Sequence, residues 1–173
     1  DGNAETFTIT VNPSPEMENV DDFVLCNNEI SSIIEFTTPN TDGDTTYTWT
    51  NDNTSIGLSS SGNGDIPSFT AINLNPITEV ATITVTPTYE NNGVVCIGDP
   101  QTFSVSVLSE IEISGLTVDA LDCNDPNSGN INITVTGGSG VYDFLWSNGA
   151  ITEDLNNIGP GDYSLTVTDS EGC

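Results

Sequence analysis

Residues 98–107 read GDPQTFSVSV, and residues 2–11 read GNAETFTITV. Both fit Gly-x-x-[Glu/Gln]-Thr-Phe-[Thr/Ser]-[Ile/Val]-[Thr/Ser]-Val. In the later copy Phe103, Val105 and Val107 alternate with Thr and Ser, and in the earlier one Phe7, Ile9 and Val11 alternate with Thr. A period of two puts the apolar side chains on one face, which is the pattern of a half-buried β-strand. The copies stand about one immunoglobulin-size sandwich apart, for which ~100 residues is typical. Cys26 also follows Val11 at nearly the distance at which Cys123 follows Val107. A strand written twice at the interval of one domain predicts tandem β-sandwich modules. Residues 1–12 are then expected to be the last strand of a preceding repeat and its linker.

Composition agrees with an all-β chain. Hydrophobic residues make up 35 % of the 173, low but enough for small sandwich cores. Thr favours strands, and Asn, Asp and Gly favour turns. No window shows a sustained 3.6-residue apolar period.

The first module is expected over residues 13–107. Its strand candidates are SIIEF (32–36), TYTWT (46–50), VATITVTP (80–87) and TFSVSV (102–107), with Asn92-Gly93 as a tight-turn signal. The second is expected over residues 108–173. It holds NINITV, a GGSG break, VYDFLW with Tyr142, Phe144 and Trp146 on one face, the turn SNGA, and GDYSLTVTD. The joints differ. Pro13 and Pro15 enforce a stiff extended backbone at the first, whereas Ile111 and Ile113 carry strand alternation through the second. The fold class expected is therefore all-β, in antiparallel immunoglobulin-like sandwiches.

Charge excludes several functions. Lys, Arg and His are absent, and 26 acidic residues give a formal net charge of −26. Such a chain cannot neutralise phosphates, so nucleic acid is not a partner. Anionic lipid surfaces should repel it, and no long apolar run is present for direct membrane insertion. Without His or Lys there is no ordinary base for a Ser or Cys nucleophile and no Schiff base. The chain is therefore not expected to be an enzyme. A carboxylate-only glycosidase would need two acids converging in a cleft, and no motif supports one.

The acidity has two readings, a self-repelling solvated coat or a set of hard oxygen ligands for Ca²⁺. The preferred cation site is the cluster around the second joint: Glu110, Glu112, Asp119, Asp122 and Asp125. No EF-hand loop is present. Trp49 and Trp146 could stack on sugar rings, but their alternating strands favour a place in the core.

Four cysteines allow three pairings. Pairing Cys26 with Cys96 and Cys123 with Cys173 keeps each bond inside one module, while the alternatives cross or nest the modules. A zinc site lacks both His and a Cys-x-x-Cys knuckle. Structural disulfides are expected, and they place the chain outside the cytoplasm.

Residues 121–173 resemble the SprB repeat of giant surface adhesins from gliding bacteria. The resemblance rests on the initial Cys123, the strand GNINITV, the turn TGGSG, the aromatic strand to WSNG, the strand GDYSLTVTD and the final Gly172-Cys173. The loop CNDPNSG departs from the family's more usual CNGGSDG-like text. Residues 13–107 look like the PKD-like domains of the same kind of protein, through TYTWTNDN, PTYENNGVVCIGDPQTFSVSV and Cys26. The resemblance implies a multi-repeat protein on the bacterial outer surface, exported by the type IX system and associated with gliding. It implies a non-enzymatic stalk segment whose partners are neighbouring repeats of the same chain. An external surface or polysaccharide would be bound through other domains. The rival reading is a module that itself binds polysaccharide, which requires an exposed aromatic patch at Trp49 or Trp146.

Overall fold

A computed structural model describes residues 5–7, 9, 11–119 and 125–173. Eleven strands and one short 3-10 helix (Thr54–Ile56) are present among them. The first six strands are β1 (Phe23–Leu25), β2 (Asp44–Asn51), β3 (Ser61–Asn63), β4 (Glu79–Asn91), β5 (Val94–Ile97) and β6 (Gln101–Val107). They form one sheet in the order β1-β6-β4-β2-β3, with β5 paired to the far half of β4. β4 is the spine: its first half pairs with β6 and its second half with β5. The two strands thus lie end to end along one neighbour. Asn92 and Gly93, both at positive φ, make the hairpin turn between β4 and β5. All pairs in this sheet are antiparallel except β1 with β6, which is parallel, so the expected uniformly antiparallel arrangement is broken at one edge.

Alternation decides which face is buried. Tyr47 and Trp49 on β2, Ala81, Ile83 and Val85 on β4, and Phe103, Val105 and Val107 on β6 all point into one core. The facing layer is irregular. Residues 32–36 form no strand, and this layer is tied by the isolated bridges Ile34 to Ile66 and Ile30 to Thr70 and by scattered backbone hydrogen bonds such as Ser31 N–H to the Phe69 carbonyl at 2.9 Å. Side chains interrupt the ladder here: the Asp65 carboxylate accepts the Phe36 N–H at 2.8 Å, and the Ser31 hydroxyl accepts the Phe69 N–H at 3.0 Å. Local side-chain acceptors compete with strand pairing in this way.

The remaining strands are β7 (Glu112–Asp119), β8 (Gly129–Thr136), β9 (Tyr142–Trp146), β10 (Leu155–Ile158) and β11 (Leu165–Asp169). They make a three-stranded sheet, β10-β8-β7, and a two-stranded one, β11-β9. Between them lies a second, smaller core centred on Ile133, Val135, Trp146 and Leu155. β7 is bulged between Ser114 and Thr117, where Gly115 supplies a positive φ.

The segment joining the two groups of strands is packed. Leu108 and Ser109 are buried. The Leu108 N–H donates to the Leu25 carbonyl at 2.9 Å, and the Gly138 N–H donates to the Ser109 carbonyl at 3.0 Å.

Candidate functional site

The joint concentrates the functional features of the molecule. β6 and β1 run parallel and end side by side, with Leu25 opposite Val107. Cys26 therefore sits at the end of the first sandwich from which the chain enters the second. On the other side, β11 ends at Asp169, opposite Tyr142 at the start of β9, and the turn that follows brings Cys173 back to the joint. Cys26 and Cys173 form a disulfide, with Cα atoms 5.6 Å apart and a sequence separation of 147.

This corrects both expected pairings. Leu25 aligns through Val107 with Glu79 at one end of β4, whereas Cys96 on β5 lies opposite Tyr89 near the other end. Roughly ten residues at ~3.3 Å each put Cys26 and Cys96 about 33 Å apart, far beyond the Cα separation a disulfide spans. Cys96 carries a free thiol. Cys173 is committed to Cys26, so it is not bonded to Cys123, which lies outside the described residues.

Asp169 organises the second side of the joint, and the sequence reading assigned it no role. It is 3 % exposed. Its carboxylate accepts the N–H groups of Ser139 (2.8 Å), Cys173 (2.9 Å) and Glu171 (3.0 Å). One side chain thus ties the GGSG turn to the chain's DSEGC stretch and fixes where Cys173 lies. Burial pushes the Asp169 carboxyl up, but backbone N–H groups of Cys173, Ser139, Glu171 and Gly172 together outweigh it and hold its pKa below the ordinary value. The available signal was an Asp closing a strand just before turn residues, where its carboxylate caps nearby N–H groups.

The two glycines of the turn have separate reasons to be there. A Cβ on Gly137 would strike the Glu110 carbonyl, and one on Gly138 would meet the Asp169 carboxylate and Ile111. Both also hold positive φ. The backbone of this turn therefore lies directly against the joint segment. The Tyr142 hydroxyl donates to the Gly137 carbonyl at 2.5 Å.

The five carboxylates expected to share a cation do not converge. Glu110 and Glu112 lie at the joint, where they line an open cleft of about 600 Å³ with Asn27, Asn73, Asn75 and Ser109. Asp119 is at the opposite end of β7, about 23 Å along an extended strand. Asp125 follows beyond it, and Asp122 lies outside the described residues. Among the described residues no three acidic or cysteine side chains are grouped as metal ligands would be. The best-connected acid elsewhere is Glu79. Hydrogen bonds from Asn53, Asn75 and Ser55 hold its carboxyl below the usual range.

Trp49 and Trp146 are 4 % and 5 % exposed. Trp49 packs against Gly62 on β3, directly opposite it in register. The Trp146 indole N–H donates to the Thr152 carbonyl at 2.8 Å. Neither ring offers a face to a ligand.

Residues 116–151 match the family model of the SprB repeat. The match covers the second half of β7, all of β8 and β9, and the Asn148-Gly149 turn. It ends before β10, β11 and the disulfide. No curated protein matches the chain. No helix of the described residues is long and apolar enough to cross a membrane.

Proposed function

We propose that this chain is a non-enzymatic spacer from a large, secreted SprB-like adhesin on the bacterial outer surface, serving attachment and gliding. The observation that carries the reading is the SprB repeat match at residues 116–151, together with what its motif residues do. Gly137 and Gly138 pack on the joint, and Trp146 fills the core. Residues spent on holding one module to another suit a part that sets distance and direction. In this reading the first sandwich is a PKD-like module, and export is by the type IX route. The partners are neighbouring repeats of the same chain, and the surface or polysaccharide is bound elsewhere in the protein. High negative charge keeps parallel copies apart and soluble. The function needs no cofactor.

Antibodies raised against this segment test the reading on intact, unpermeabilised cells of the source organism. Surface labelling, carried by a polypeptide far larger than the segment, is expected. Labelling only after permeabilisation would overturn it.

A further inference from the structure

We propose that residues 5–11 are the closing strand of another sandwich of the same kind as that built by β1 to β6. Its place there is the slot between a β1-type and a β4-type strand.

In the first sandwich β6 fills that slot. It pairs with β1 on one side, Phe23 opposite Val105 and Leu25 opposite Val107. It pairs with β4 on the other, Ile83 opposite Phe103 and Glu79 opposite Val107. Phe103 is 4 % exposed, Val105 and Val107 are fully buried, and the Phe103 ring stacks on Phe23 with centroids 6.1 Å apart. Residues 5–11 read ETFTITV where β6 reads QTFSVSV, so Phe7, Ile9 and Val11 fall at the positions of Phe103, Val105 and Val107. Yet those three are 84 %, 74 % and 85 % exposed. A strand sequence with one apolar face gains stability only when that face is covered and its edges are paired.

The slot cannot be the one in this chain's first sandwich, because β6 occupies it. Position argues for a neighbour in line. Asn91, at the end of β4 far from the joint, donates to the Asn12 side chain at 3.3 Å. Pro15 and Met17 then anchor the chain in the first sandwich, and both are buried. Asn12 thus stands at the end of the first sandwich opposite the second. A module completed by residues 5–11 would extend the row head to tail. The inference does not depend on where the protein acts in the cell.

The test is a chain in which a copy of residues 13–97, with serine at its two cysteine positions, is joined directly before residues 2–173. The added copy lacks its own β6, and residues 5–11 follow where β6 would begin. Hydrogen exchange is read residue by residue. The expected result is a folded added copy, with the Phe7 and Ile9 amides slowed at least about 100-fold relative to the original chain, as for a strand that opens only with its sheet. Phe7→Asp in the same chain should return the added copy to unprotected exchange, while Leu74→Asp in the original first sandwich, at a 90 % exposed position, should not. An added copy that stays unprotected would overturn the proposal. So would one that folds while residues 7 and 9 exchange freely, or one indifferent to Phe7→Asp.

Discussion

Gly62 and Trp49 face each other across the β2–β3 pair, and the indole lies where a Gly62 side chain would be. Gly62→Ala should therefore displace the largest ring of the first core. A loss of about 1–3 kcal/mol is expected, the cost of overpacking a filled site, and it can be read from denaturant unfolding. Asp169 makes a prediction of a different kind. Its folded pKa lies below the ordinary aspartate value of about 3.9. Its contribution is thus complete above that value and is lost as pH falls through the lowered one. Asp169→Asn should cost about 2–3 kcal/mol near neutrality, where the charged acceptor serves three N–H groups. The gap between variant and parent should begin to narrow as pH falls through the ordinary aspartate value and close only below the lowered folded one. Comparing melts of the two chains cancels the general relief of self-repulsion on acidification, and a gap independent of pH would rule out the assigned role. At this scale the sequence was readable for Trp49 and Trp146, because aromatic alternation betrays a core face. Asp169 was not, because nothing in a one-dimensional string says which N–H groups a carboxylate will meet.

Strands were legible wherever apolar and Thr or Ser residues alternate without interruption, as in β2, β4, β6, β8 and β11. The Asn92-Gly93 hairpin and the packed second joint were legible for the same local reasons. SIIEF misled because its alternation is real but its backbone partners are taken by Asp65 and neighbouring loops. The acidic cluster misled differently. Glu112 and Asp119 are near in sequence, but an extended strand separates them by its full length. A helix or loop could have gathered them. From this geometry, Ca²⁺ and Mg²⁺ at equal ionic strength should shift the thermal midpoint equally, by screening alone. A Ca²⁺-specific rise would reveal a site that the β7 geometry does not provide.

Across the whole molecule, the two sandwiches are one mechanical unit because Cys26 and Cys173 close a loop around both. On the chain-entropy model such a loop is worth about 5 kcal/mol, less any strain. Tension applied at residues 26 and 173 would pass straight across the disulfide and bypass both cores. Pulling a single molecule should therefore release almost no length under oxidising conditions. Under reducing conditions it should release roughly 500 Å from the 147-residue loop. Pairing within modules was the economical reading of the cysteine spacing. It failed because the parallel β1–β6 edge carries Cys26 to the joint, and the turn set by Asp169 carries Cys173 to meet it. Neither turn of the chain is written in the spacing.

The central claim is that this bond crosses the joint, and disulfide mapping tests it most directly. Trypsin finds no Lys or Arg to cut at, so the oxidised protein is digested with an enzyme that cleaves after glutamate. The fragment of residues 19–29 should be recovered joined to the fragment that begins at Gly172, and Cys96 should alkylate without reduction. Recovery of residues 19–29 joined to the Cys96 fragment, with Cys173 joined to the Cys123 fragment, would contradict the account.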